Sequence, residues 1–162
     1  MIITLLLVVL TCLITSIYYN RVIQRRENTI VSIREAIELT GFPILAFQNN
    51  GKTLKFLLDT GSNVNLIESS LIPELMITDK EVSKSNIHSI NNKEGLSENY
   101  KICFNYEQVK FQAEFIGVSD VSGFNLIKEK TGIEINGILG SPFMTKYKYI
   151  LDLDKLKIRI NK

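Results

Sequence analysis

Asp59 stands out by its surroundings. It ends the apolar run Phe56-Leu57-Leu58 and is followed at once by Thr60, Gly61 and Ser62. An ionised carboxylate at the end of a hydrophobic strand is costly unless it is paired or hydrogen-bonded. A glycine two residues later lets the backbone bend sharply and approach a partner closely. A carboxyl so placed can act on a water molecule as a general base, or donate a proton as a general acid. Two such groups a few ångströms apart share one proton, so that one is base while the other is acid. Asp-Thr-Gly alone is a weak signal, because Asp with Gly often marks only a turn.

Two further features raise its value. Residues 63–67 return to strand character, so the turn joins two buried segments. Downstream, Gly137-Ile138-Leu139-Gly140 repeats the apolar-apolar-Gly pattern and leads into Ser141-Pro142-Phe143-Met144, a helix start with Pro in its first turn. With these two motifs, in this order, the chain resembles the retropepsin-like, single-lobed aspartic proteases, relatives of retroviral proteases and of half a pepsin. The resemblance covers residues 43–160.

The resemblance implies roles residue by residue. Asp59 is the catalytic aspartate, and Thr60, Gly61 and Ser62 complete its loop. Thr60 hydrogen-bonds across a dimer, and Gly61 lets the loop pass close to substrate and to the other subunit. Ile138, Leu139 and Gly140 pack beneath the loop. A polar hairpin from His88 to Ser97 sits where the family carries its flap, with His88, Ser89, Ile90, Asn91 and Gly95 as candidate flap residues. Ser141-Pro142 stands where retroviral enzymes have Arg and then Asp or Asn, so the ion pair of that arginine is missing. Asp120-Val121-Ser122-Gly123 is not a second Asp-Thr-Gly. One acid per chain therefore requires a homodimer with Asp59 from each subunit at the two-fold axis. The implied activity is that of an aspartic endopeptidase acting on an extended polypeptide, with no cofactor and no metal. The alternatives are a non-catalytic dimerisation or peptide-binding module of the same fold, and a tethered structural protein whose Asp-Thr-Gly is only a hairpin turn.

The elements that must position these residues are mostly strands. Residues 43–48 and 52–58 flank Asn49-Asn50-Gly51, an Asn-Gly hairpin signal. Strands are expected at 87–90, 100–106, 109–118, 135–139, 147–153 and 156–160, with the last turn at Asp154-Lys155. A short helix is expected over 124–130, ended near Gly132. The fold class is mostly β: a small closed acid-protease barrel with one or two short helices, preceded by a transmembrane helix. The Lys/Glu-rich stretch 80–93 reads as mobile exposed surface.

Residues 2–19 contain no charge and end in Tyr18 and Tyr19. A helix of about 18 residues is roughly 27 Å long, close to the hydrocarbon thickness of a bilayer, and interfacial aromatics suit its end. A cleaved signal peptide would need a basic start and a small-residue cleavage site, and neither is present. Arg21, Arg25 and Arg26 follow the run, which places the domain on the cytoplasmic face. The expected organisation is an anchor over 1–20, a juxtamembrane connector over 21–42 and a protease domain over 43–162. In the connector, Ile30, Ile33 and Ile37 lie near helical spacing, with Gly41 as the stop and Pro43 beyond.

Composition narrows the rest. The chain has 162 residues, is 45% hydrophobic, and carries a formal net charge of +2. That suffices for one real core, and the weak charge gives no case for nucleic-acid binding. Cys12 and Cys103 lie in an apolar run and a strand, with no disulfide expected between them. His88 is the single histidine, which strains any His-rich metal centre. Asp152 and Asp154 alternate along a strand and read as a wet face.

Overall fold

The Asn-Gly hairpin forms as its residue types dictate. Strands β2 (Ile44–Asn49) and β3 (Lys52–Leu58) pair antiparallel, from Asn49 opposite Lys52 to Ile44 opposite Leu57. Asn50 and Gly51 both take positive φ, 48° and 77°, the backbone a two-residue turn needs to match strand twist. The computed structural model describes residues 10–17, 29–84, 96–119 and 122–161.

Seven strands form one sheet in the order β2-β3-β8-β4-β7-β6-β5. The further members are β4 (Leu66–Glu68), β5 (Ile77–Lys84), β6 (Leu96–Tyr106), β7 (Val109–Val118) and β8 (Gly137–Leu139). Gln48 of β2 also pairs with Asn105 of β6, closing six of the strands into a barrel. A second, three-stranded sheet has β10 (Lys157–Ile160) between β1 (Thr29–Ser32) and β9 (Ile150–Asp152). Three short helices pack around this frame: α2 (Arg34–Thr40), α3 (Asn125–Thr131) and α4 (Ser141–Lys146). The first helical segment, α1, is described over residues 10–17.

Alternation along β2, β3, β6 and β7 sends one face of each inward. Phe47, Phe56, Phe104, Phe111 and Phe115 meet there, joined by Phe143 from α4, all at most 1% exposed. Phe47 and Phe104 meet edge to face with centroids 4.7 Å apart, an arrangement that adds to simple area burial. Three polar side chains are buried among the described residues, and each is hydrogen-bonded. Asn49 is one. Its Nδ2 donates to Cys103 O at 2.6 Å and its Oδ1 accepts the Met76 N–H at 2.8 Å, tying the hairpin to β6 and the start of β5. Asn136 is another: its Oδ1 accepts the Lys55 N–H at 2.8 Å, and its carbonyl accepts the Glu68 N–H at 2.9 Å.

The structure departs from the sequence reading in two places. The connector expected as one helix over 28–39 is a strand, β1, followed by α2. Val31 and Ile33 are buried, while Ile30 is 59% exposed. Pairing with β10, from Thr29 opposite Ile160 to Ser32 opposite Lys157, outweighs the helical spacing. Residues 29–42 thus pack on the body of the domain. Second, residues 80–84 of the stretch 80–93, read as mobile exposed surface, belong to β5, the edge strand of the large sheet, with Lys80 and Glu81 exposed as read. Charged side chains on an edge strand discourage pairing with other chains, so charge density was a poor guide there. The two short helices of the barrel domain, α3 and α4, stand where short helices were expected. Among the described residues no helix is long and apolar enough to cross a membrane. Residues 10–17 of the expected span are helical, and Leu10, Leu13, Ile14 and Ile17 are each more than half exposed. The rest of that span lies outside the described residues.

The Tyr149 hydroxyl is buried with no hydrogen-bond partner among the described residues. Burial pushes its phenol far above the ordinary tyrosine range. The unfolded phenol ionises near pH 10 while the folded one stays neutral. The neutral phenol is therefore accommodated in the fold below about pH 10, and stability is lost as pH rises beyond it. Tyr149→Phe is expected to gain about 1 kcal/mol at neutral pH by removing the unsatisfied hydroxyl. It should also move the alkaline unfolding midpoint upward; circular dichroism against pH measures both.

Candidate active site

The loop that carries Asp59 is stitched to the barrel from below. β3 and β8 run parallel, with Leu57 opposite Ile138 and Leu58 opposite Leu139. The Asp59 N–H donates to Leu139 O at 3.1 Å, and the Ser141 N–H donates to Ser62 O at 2.8 Å. On its other edge β8 runs antiparallel to β4, with Leu66 opposite Ile138. The chain thus passes down β3, through the loop, and returns along β4 with β8 between the two. Ile138, Leu139 and Gly140 lie on the segment that hydrogen-bonds to the loop.

This inserted strand needs glycine at both ends. A Cβ on Gly137 would lie 2.1 Å from Leu66 O, and one on Gly140 would lie 2.2 Å from Val64 O and 2.7 Å from Ser62 O. Backbone meets backbone at both points, so no side chain can swing aside.

Within the loop, the Gly61 N–H donates to Asp59 Oδ1 at 2.8 Å and the Ser62 N–H donates to Asp59 O at 3.2 Å. Ser62 Oγ donates to Val64 O at 2.7 Å. The carboxyl is therefore oriented by its own turn. Asp59 is half-buried in the single chain, whereas Thr60 and Gly61 are exposed. The strand ends at the surface, which leaves the loop open to a neighbour, and the carboxylate has the hydrogen bond that its position calls for.

Other candidates fall as follows. His88, Ser89, Ile90, Asn91 and Gly95 lie outside the described residues. The arms that lead to them are β5 and β6, paired from Asp79 opposite Lys101 to Lys84 opposite Leu96. Lys80 bridges these arms to Glu98 at 2.9 Å. Glu98 also accepts the Tyr100 hydroxyl, which, with Lys80, holds its carboxyl below the usual range. Cys103 is buried in β6 and Cys12 is exposed, and both are free thiols. Asp152 accepts the Lys155 N–H at 3.0 Å, and this bond lowers its pKa. No group of three or more His, Cys, Asp or Glu among the described residues is arranged to hold a metal.

Sequence reasoning missed Asn65. Its side chain is 4% exposed, on the residue just ahead of β4. Oδ1 accepts the Gly140 N–H and Nδ2 donates to Glu114 O, both at 2.9 Å. The only signal was a polar residue between Val64 and Leu66 in an otherwise apolar stretch.

No protein-family model matches the chain, and no curated protein matches its sequence. Solved structures do match. A retropepsin-like aspartic protease from Rickettsia conorii aligns over 83% of this chain and 91% of its own, with a TM-score of 0.52 and 14% identity. The fold is retropepsin-like. Simian foamy virus protease aligns over 63% of this retropepsin-like chain and 91% of its own (TM-score 0.39, 16% identity). The retroviral protease-like domain of Ddi1 from Leishmania major aligns over 72% and 86% (TM-score 0.42, 10% identity).

Gly140→Ala is expected to cost about 3 kcal/mol and lower Tm on the order of 10 °C, because the new methyl meets two carbonyl oxygens. Thermal denaturation followed by circular dichroism checks it; an unchanged Tm would mean the loop is not held by this close approach.

Proposed function

We propose that the chain is an aspartic endopeptidase, active as a homodimer with one Asp59 from each subunit. The supporting observation is the Asp59 loop itself: a carboxyl fixed by the Gly61 N–H, on a loop laced to β8, with Thr60 and Gly61 open at the surface. A second copy meeting this surface brings two carboxyls together. One proton is then shared between them, because like charges at such range cannot both persist. The ionised carboxyl takes a proton from a water, and the protonated one gives its proton to the scissile carbonyl oxygen. Water oxygen adds to the carbonyl carbon, and the resulting diol collapses with proton transfer to the leaving amine. No covalent enzyme intermediate forms. The substrate is an extended polypeptide with apolar side chains beside the loop.

Residues 2–19 anchor the chain in a bilayer in this reading, with the domain on the cytoplasmic side that Arg21, Arg25 and Arg26 favour. Two copies held in one membrane meet at a raised effective concentration.

Asp59→Asn is expected to cut peptide cleavage by about 10³-fold or more while leaving Tm within about 2 °C of wild type. Specific activity of the wild type should also fall on dilution as dimers separate. Wild-type turnover by Asp59→Asn would end the protease reading; an intact dimer with no cleavage by either protein would favour the peptide-binding module. For the topology, protease added outside sealed cells should leave the domain intact, and its digestion there would reverse the assigned orientation.

A further inference from the structure

Three consecutive residues leaving β8 each hold a different part of the candidate loop. Leu139 O accepts from Asp59, the Ser141 N–H donates to Ser62, and between them the Gly140 N–H donates to Asn65 Oδ1. The outer two are backbone bonds that end at the loop. The middle one is a side-chain bond, and only it continues into the barrel wall, because Asn65 Nδ2 donates to Glu114 O of β7. The Asn65 backbone carbonyl also accepts the Ile116 N–H of β7 at 2.9 Å. Both ends of the amide are thus used, and the side chain is buried. A side chain at Gly140 would meet Val64 O and Ser62 O, so the backbones approach closely there.

We infer that Asn65 is a positioning residue for Asp59: its amide fixes Gly140 against β7, and Gly140's neighbours fix the height and tilt of the aspartate loop. This rests on the aspartic-protease reading. The chemistry makes the demand severe. Two carboxyls that share a proton must be held to a fraction of an ångström, and misplacement on the order of 1 Å costs about 10²-fold in rate.

The merely structural role of a buried amide has a matched control in the same molecule. Asn136 is also buried, and its Oδ1 also accepts a backbone N–H, that of Lys55. It stands at the opposite end of β8, four residues back along β3 from Asp59, or about 13 Å of extended strand. Loss of Asn136 orphans the part-buried Lys55 N–H, while loss of Asn65 orphans the buried Gly140 N–H and also removes the donor to Glu114 O. Only the loss of Asn65 releases the loop.

The test uses the full-length chain in detergent micelles, with Asn65→Ala, Asn136→Ala and Asn65→Asp compared at a temperature where circular dichroism shows each folded. Asn65→Ala is expected to lower kcat tenfold or more, with KM changed by less than about twofold. Asn136→Ala is expected to lower Tm and leave kcat at the wild-type level. Asn65→Asp can preserve both bonds only while protonated, its O–H donating to Glu114 O and its other oxygen accepting from Gly140. Its kcat should approach wild type at low pH and fall through a new limb as that carboxyl ionises. Equal kcat losses in the two alanine variants, an unchanged kcat in Asn65→Ala, or no new limb in Asn65→Asp would each overturn the assignment. Hydrogen exchange gives a readout independent of turnover. Asn65→Ala should speed exchange of the Asp59 and Gly61 amides, and Asn136→Ala should not; equal rates in both would also overturn it. If wild type cleaves no peptide, the protease reading fails, and the exchange comparison still decides the role of Asn65.

Discussion

The molecule depends on a backbone-on-backbone contact. β8 is only three residues long, yet it lies between β3 and β4 and separates the two limbs of the aspartate loop. It can do so because Gly137 and Gly140 carry nothing that would push Leu66, Val64 or Ser62 away. Without that approach, the Asp59 N–H and the Ser62 carbonyl would lose their partners on the strand, and a turn with an acid in it would be only a turn. The barrel, the phenylalanine core beneath it and the α4 helix behind it all serve to keep this short strand in place.

Burial and exposure divide along the same line. The aromatic rings fill the barrel and fix strand spacing, and hydrophobic burial on this scale dominates stability. The loop above them is polar and held by hydrogen bonds with one obligatory geometry each. Asn65, Asn49 and Asn136 each satisfy backbone groups of neighbouring segments inside the core. Their loss would leave donors or acceptors unpaired, which costs more than a bond in water is worth. Surface ion pairs such as Lys80–Glu98 contribute little beside them, being exposed and screened.

Local chemistry was legible in the sequence, and long-range pairing was not. Asn50-Gly51 announced its hairpin because two positive φ angles in a row have few residue solutions. The apolar-apolar-Asp-Thr-Gly and apolar-apolar-Gly motifs announced the loop and the strand under it, because close approach admits only glycine. Pro142 marked the start of α4 for an equally local reason. The segment from Thr29 to Ser32 read as helix because Ile30, Ile33 and Ile37 are spaced like one turn after another. Its real partner is at the far end of the chain, and no local pattern reports that. β5 was hidden by its charges, which suit an edge. Asn65 was hidden because a single polar residue in a strand has no signature until the carbonyl and amide that it meets are known.

The pairing of β1 with β10 carries a consequence for biosynthesis. Thr29 meets Ile160 and Ser32 meets Lys157, so this strand cannot find its partner until nearly all of the described chain has left the ribosome. Val31 and Ile158, both buried, are completed only then. A nascent domain therefore waits with β1 unmatched, and the emergence of residues 157–160 acts as the latch that closes the small sheet.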